Sequence, residues 1–474
     1  MRSLSNHYID GGWVASQGGR MHAVINPATE RACAETVLGT ALDVDAAVAA
    51  AVRARDTFAA TTKEQRLALL AAVLAEYAKR RGEIAQVITE EMGCPISLSK
   101  AAQATAGMAH LQATIDALKD FSFEEERGRS RVLQEPIGVA ALITPWNWPM
   151  NQIVAKVAPA IAAGAVMVLK PSELAPSNAC IFAEIMHAAG VPPGVFNLIN
   201  GDGAEVGEAL SRHPDIDMIS ITGSTRAGVA VAKNAASTVK RVHQELGGKS
   251  PNVILRGAAL RKAVTAGTLA MMLNSGQSCN APSRMLVPAE QHDEALAIAA
   301  AVAQALQLGD PAQEGPHLGP VANARQYEKV RSMIGQGIES GALLAAGGLE
   351  RPGSIERGYY VRPTVFGRVD RDMVIAREEI FGPVLCIFPY RDEEEAVHLA
   401  NDTQYGLSAH VWASDADAAL GVARRLRTGS VHLNGAQVDF ALPFGGYKRS
   451  GNGREFGAHG IREFLEVKSI MRAA

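Results

Sequence analysis

Residues 139–149, Val139-Ala140-Ala141-Leu142-Ile143-Thr144-Pro145-Trp146-Asn147-Trp148-Pro149, decide the fold. The first five are small or branched apolar residues, a run of the length and composition of a strand buried on both faces. It stops at a stiff loop of two prolines and two tryptophans around one asparagine, and a helical stretch follows at 150–163. The same unit recurs downstream. Apolar runs at 166–169, 195–198, 218–221 and 241–244 alternate with helical stretches near 177–189, 204–211 and 225–235. Strand-helix alternation predicts a parallel sheet with helices on its faces. Ligands of such sheets bind beyond the carboxyl ends of the strands. The unusual residues lie at those ends: the loop at 144–149, Lys170-Pro171-Ser172-Glu173, Gly201-Asp202-Gly203, Thr222-Gly223-Ser224-Thr225 and Glu245-Leu246-Gly247-Gly248.

Upstream, residues 43–120 read as helical. Asp43 is the expected N-cap of a helix over 44–60, and Thr62 that of a helix over 63–81, where Leu67, Leu70, Leu74 and Tyr77 recur at helical spacing. Pro95 opens a further helical stretch. Downstream, a second alternating region runs from about 251 to 450. It holds Cys279 in Asn274-Ser275-Gly276-Gln277-Ser278-Cys279-Asn280-Ala281, and the turn-rich segments Glu378-Glu379-Ile380-Phe381-Gly382-Pro383 and Pro443-Phe444-Gly445-Gly446-Tyr447-Lys448.

The 474 residues suffice for two or three domains. A hydrophobic fraction of 47% and a charged fraction of 20% are ordinary for a soluble protein, and a net charge of -3 argues against nucleic acid as a partner. The first residues carry no apolar signal core, and the longest apolar stretch, 157–169, is too short to span a bilayer. A cytoplasmic protein without a membrane partner is expected. Cys33, Cys94, Cys180, Cys279 and Cys386 are odd in number and form no Cys-x-x-Cys pair, so neither a disulfide framework nor a zinc site is expected. No His-Glu-x-x-His occurs, and no metal is expected.

Each motif has a plainer reading beside the functional one. The third glycine of Gly201-Asp202-Gly203…Gly207 falls one position late for a dinucleotide fingerprint, which favours a turn and helix start. Gly223-Ser224 either directs helix amides at an anion or caps a helix that packs on the sheet. Lys170 and Glu173 either hold ribose hydroxyls or form a solvated ion pair. As ribose ligands they would favour NAD over NADP, because the carboxylate repels a 2′-phosphate. Asn147 is either a rigid donor for an oxyanion or a turn residue bonded to its own backbone. Ser97-Leu98-Ser99-Lys100 fits Ser-x-x-Lys without its partner motifs, and Gly248-Lys249-Ser250 lacks the first glycine of a P-loop.

These segments together resemble the NAD(P)-dependent aldehyde dehydrogenase superfamily over nearly the whole chain. Asn26-Pro27-Ala28-Thr29, Pro145–Pro149, Lys170–Glu173, Gly223–Thr225, Glu245–Lys249, Gly276–Cys279, Glu379–Pro383 and Pro443–Gly446 carry the likeness in type, order and rough spacing. The resemblance implies two Rossmann-like parallel α/β domains and a small β oligomerisation extension. NAD binding falls to 1–117 and 137–247, catalysis to 248–455, and oligomerisation to 118–136 and 456–474, in a dimer or a tetramer built as a dimer of dimers. It implies that Cys279 is the nucleophile, Asn147 with the Cys279 amide the oxyanion hole, Glu245 the general base, and Lys156 and Glu455 a proton relay. Cofactor contacts fall on Ile143, Thr144, Trp146, Lys170, Ser172, Glu173, Gly203, Gly223, Ser224, Leu246, Glu379 and Phe381.

The implied reaction is NAD-dependent oxidation of an aldehyde through a Cys279 thiohemiacetal and thioester, which Glu245 helps to hydrolyse. A CoA-acylating enzyme generally lacks the base at the Glu245 position, and a crystallin-like protein would not need Cys279, Glu245 and Asn147 together. Around the nucleophile, Trp148, Asn151, Gln152, Ser278, Asn280, Val438 and Phe444 are the expected substrate lining, with Phe440 and Ala155 near them. This set predicts a roomy, partly polar tunnel for an oxo-acid or semialdehyde. Gln277-Ser278-Cys279-Asn280-Ala281-Pro282 resembles the segment of bacterial relatives acting on longer-chain oxo-acids.

Overall fold

A computed structural model describes residues 2–353 and 355–473. Met1 and Ala474, which bound two of the expected segments, and Ser354 lie outside it. Two sheets dominate. In the first, Arg241–Glu245, Met218–Thr222, Val139–Ile143, Val166–Lys170 and Phe196–Leu198 lie side by side and all parallel. From Val139–Ile143 the chain builds outward through the strands at 166 and 196. It then returns to the other flank through those at 218 and 241, so strand order reverses between Val139–Ile143 and Met218–Thr222. That reversal opens a crevice at the carboxyl ends. The five strand positions match the apolar runs read from the sequence to within a residue.

The second sheet has the order Leu343–Ala346, Thr364–Gly367, Val384–Tyr390, Arg284–Pro288, Pro251–Ile254, Ser408–Trp412 and Ser430–Leu433. It is parallel except at Leu343–Ala346, and its own reversal lies beside Pro251–Ile254. The chain does not stay in this sheet to its end. Gly451–Asn452 crosses back to pair antiparallel with Arg241–Glu245, and Glu455 bridges to Phe444. At the opposite edge the first sheet is extended by Asn6–Ile9 and Gly12–Ala15, strands with no expectation in the sequence reading. A small antiparallel sheet joins Glu124–Arg127, Ser130–Pro136 and Leu465–Ile470.

Helix boundaries correct two expectations. The first helix is Ala41–Ala59, with Thr40 as N-cap. Asp43 sits three residues in and accepts from the Thr40 amide at 2.9 Å, closing a capping box. The next helix does start at Thr62 but continues to Met92, because Ile84, Val87, Ile88 and Met92 extend its buried face beyond Gly82. After Pro95 the chain forms a short helical turn, a π-helical segment at Ser99–Gln103 and the helix Ala104–Asp120. Among the described residues no helix is long and apolar enough to cross a membrane.

Candidate active site

The strand Val139–Ile143 is fully buried, so its polar continuation emerges only at the carboxyl edge. Asn147 sits there, buried, and its Nδ2 donates to the main-chain oxygen of Gln277 at 3.0 Å. One of its two N–H bonds is thereby fixed and the other is left for a ligand. Its own carbonyl accepts from Asn274 Nδ2 at 3.0 Å and from Gln103 Nε2 at 3.1 Å. Gln103 ends the π-helical segment, where the wider turn redirects a side chain inward. Trp148 Nε1 donates to Ser278 Oγ at 2.8 Å. The loop after the first strand is therefore bonded to the loop that carries Cys279.

That second loop has an unusual backbone. Asn274 and Ser275 are buried with φ of 54°, and Gly276 has φ of 73°. A Cβ at Gly276 would lie 2.2 Å from the Gly382 oxygen. Gln277 pins the turn, donating to the Asn274 oxygen at 3.0 Å and accepting from the Ala322 amide at 2.8 Å. Cys279 follows, half-buried. Burial, with the Glu379 and Glu245 carboxylates nearby, pushes its thiol far above the ordinary value of 9.0, so the thiol is protonated at neutral pH. Of the other cysteines, Cys94, Cys180 and Cys386 are buried, and Cys33 is pushed up to about 12 by burial and two neighbouring glutamates.

Glu245 ends the last parallel strand of the first sheet and is 2% exposed. Burial, then Glu455, raises its carboxyl well above the ordinary 4.5. Oε1 lies 3.4 Å from His243 Nε2, and Oε2 is buried without a hydrogen-bond partner. The ribbon after it passes close to Cys279: a Cβ at Gly248 would lie 2.2 Å from the Cys279 oxygen. Lys156 and Glu455 form a buried pair at 2.5 Å. No hydrogen bond or ion pair joins either of them to Glu245, although both act on it electrostatically; Lys156 is linked to it through Ser220 and His243.

Along the crevice, Ile143 and Leu246 are buried, and Thr144 Oγ1 is buried without a partner. Lys170 is buried, donates to the Pro171 oxygen at 2.9 Å and lies 3.7 Å from half-buried Glu173. Ser172 accepts from the Leu174 amide. Ser224 caps the helix Thr225–Ala235 beside Gly223, which leaves the Thr225 and Arg226 amides without helical partners. Gly203 is exposed at the start of a turn capped by Asp202, at the end of the strand Phe196–Leu198. Glu379 accepts from the Gly248 amide at 2.9 Å. Phe381, held at φ of 60°, meets Trp146 edge-on at 5.6 Å, so one aromatic from each sheet closes the crevice wall.

In the first turn of the helix Pro149–Ala163, Asn151 Oδ1 lies 2.8 Å from His110 Nε2. His110 is buried and held to about 4 by that burial, hence neutral. It packs edge-on against Phe440 and Phe456, and Phe444 stacks on Phe456. Gln152 and Ala155 are buried, Ser278 and Asn280 half-buried, and Val438 exposed. His110, Gln103, His243 and Ser220 had no expected role: the first two lie far in sequence from the groups they contact, the other two inside strands, and no local pattern marks them. Asn274 lies in the segment singled out around Cys279, but its bond to the Asn147 carbonyl is not visible locally.

The chain belongs to the aldehyde dehydrogenase family, whose sequence profile matches residues 13–470. It is 55% identical over 472 residues to a 3-succinoylsemialdehyde-pyridine dehydrogenase from Pseudomonas, covering 99% of each chain. Among solved structures it matches a cysteine-to-alanine mutant of aldehyde dehydrogenase C from Pseudomonas syringae in complex with NAD+ and octanal. The TM-score is 0.98 at 52% identity, over 98% of this chain and 96% of that one. It also matches an aldehyde dehydrogenase from Mycobacterium tuberculosis complexed with NAD+, with TM-score 0.97 at 36% identity, over 100% and 99% of the two chains. The reaction class is the oxidation of an aldehyde.

Proposed function

We propose that the chain oxidises an aldehyde to its carboxylic acid with NAD as acceptor, using Cys279 as nucleophile. The observation that carries this reading is that Asn147 is bonded to the Cys279 loop through the Gln277 oxygen while Glu245 lies close enough to the thiol to perturb it electrostatically. The crevice residues suit a dinucleotide: free amides at Thr225 and Arg226 for phosphate, Lys170 and Glu173 for a ribose, and unpartnered Thr144 Oγ1. When bound, NAD supplies the hydride acceptor. Cys279 gives up its proton to solvent water, and Sγ bonds to the aldehyde carbon as the carbonyl π pair moves onto oxygen. The resulting oxyanion is held by the second N–H of Asn147 and the Cys279 amide. Once hydride has left, the acyl group remains on Sγ as a thioester, and Glu245 takes a proton from the water that hydrolyses it. Glu173 favours NAD over NADP by repelling a 2′-phosphate.

The substrate class we infer is an aldehyde bearing a polar acceptor some carbons from the reacting end, such as an oxo-acid or aryl semialdehyde. Asn151, its oxygen engaged by His110, keeps its N–H donors for such an acceptor, while Phe440, Phe444 and Val438 accommodate the chain between. The semialdehyde named for the Pseudomonas relative supports this reading, whereas the octanal complex and the aromatic lining favour plain medium-chain aldehydes as a second one. NADH formation over a panel of oxo-acid semialdehydes and n-alkanals separates them. We expect kcat/KM at least tenfold higher for the functionalised aldehydes, lost in Asn151→Leu; equal values for both substrate groups would favour the second reading. Product formation that required CoA would overturn the hydrolytic step, and a preference for NADP would overturn the Glu173 argument.

A further inference from the structure

Behind Glu245 the interior holds a continuous run of polar side chains. Ser220 and His243 are register partners on the neighbouring strands Met218–Thr222 and Arg241–Glu245, as are Thr222 and Glu245. His243 and Glu245 are two residues apart and share a face of their strand. Lys156 donates to Glu455 Oε1 at 2.5 Å and to Ser220 Oγ at 3.0 Å; Ser220 Oγ lies 3.0 Å from His243 Nδ1, and His243 Nε2 lies 3.4 Å from Glu245 Oε1. All five side chains are buried.

The donors and acceptors run in one direction. An ammonium has only donors, so Ser220 Oγ must accept from Lys156. Its single O–H has no other acceptor among the described residues and is turned to His243 Nδ1. Burial and the Lys156 and Arg454 cations keep His243 neutral, so a proton absent from Nδ1 sits on Nε2 and points at Glu245. We propose that His243, its tautomer fixed by Ser220 and Lys156, is the positioning residue of the base. It engages Oε1 of Glu245 and leaves Oε2, the oxygen without a partner, to take the proton of the deacylating water. That proton moves from water to Oε2 as the water oxygen bonds to the thioester carbon and the carbonyl π pair moves onto oxygen; the C–S bond then breaks, Cys279 Sγ leaves with the electron pair, and His243 stays neutral throughout.

The inference rests on the reading of Glu245 as base. The charged groups around Glu245 are Lys156, Arg454, Glu455 and Glu463, and the titratable Cys279 thiol faces it as well. Removing the N–H donor of His243 leaves all of them in place but withdraws stabilisation from the carboxylate, so the Glu245 pKa must rise.

The test follows hydrolysis of the acyl-enzyme by intact mass, and its pH profile, in His243→Leu, Ser220→Ala, His243→Gln and Glu245→Gln. In His243→Leu the NADH burst is expected to persist. Deacylation should slow by about tenfold or more, within the ~10²–10⁴ that a general base supplies, and its acid limb should move to higher pH. Ser220→Ala should change both in the same direction by less. His243→Gln retains an N–H near the Nε2 position and should restore most of the rate. Glu245→Gln stalling while the other three variants deacylate with an unshifted limb would overturn the inference and leave the base intact. Glu245→Gln deacylating normally would overturn the reading of the base itself. If His243→Leu does not fold, Ser220→Ala and His243→Gln decide alone.

Discussion

Cys279 reaches its site as a protonated thiol among carboxylates, and that has a kinetic signature. With Glu379 and Glu245 nearby and burial raising the thiol above 9.0, alkylation by iodoacetamide should climb steadily through pH 9 without levelling off. A bound nicotinamide cation near Sγ would oppose those carboxylates and bring the limb down, so the same titration with NAD present should be shifted to lower pH. Identical profiles would place the cofactor's charge away from Sγ. Cys279→Ala should abolish NADH formation with NAD binding kept, measured by calorimetry. The sequence made Cys279, Glu245 and Asn147 legible because each sits in a short glycine- or proline-bounded segment. His243 and Gln103 were not legible. One lies in a strand and the other in a helix, and only register and the π-helical turn bring them to the site.

At the level of elements, the Cys279 loop depends on a backbone that side chains resist. Gly276→Ala adds a Cβ 2.2 Å from the Gly382 oxygen at a φ of 73°, a left-handed conformation that is itself unfavourable by about 1–2 kcal/mol. Activity should fall more than tenfold, and thermal unfolding should begin earlier than in the parent. Full activity in this variant would mean that the loop can shift without displacing Sγ. Val139–Ile143 and Val166–Lys170 were read correctly because burial on both faces leaves nearly unbroken apolar runs, whereas Arg241–Glu245, only partly buried and holding Arg241, His243 and Gln244, was placed by its position in the strand-helix alternation. The strands Asn6–Ile9 and Gly12–Ala15 escaped notice. They are short, four residues each, and end the sheet, so neither is long enough to show an alternation to follow. The helix over 63–92 was cut short at Gly82, a residue that an exposed helical face tolerates at a cost of about 1 kcal/mol.

The small sheet of Glu124–Arg127, Ser130–Pro136 and Leu465–Ile470 concerns the molecule as a whole. Leu465–Ile470 pairs on one side only, and Val467 and Met471 on or beside it are 69% and 82% exposed. An unpaired edge with apolar residues facing solvent invites a second copy. We propose that this edge joins subunits. Val467→Lys should lower the mass seen by light scattering to a smaller species, and an unchanged mass would move the interface elsewhere.

The buried carboxamides of Gln103, Asn147, Asn274 and Gln277 fasten one sheet's loop to the other's at the floor of the crevice. Prising the sheets apart there would strand several buried donors and acceptors at once, each a loss of about 1–3 kcal/mol. The crevice therefore behaves as a corridor of fixed width and not as a jaw. We expect discrimination among aldehydes to rest on the standing shape of its walls.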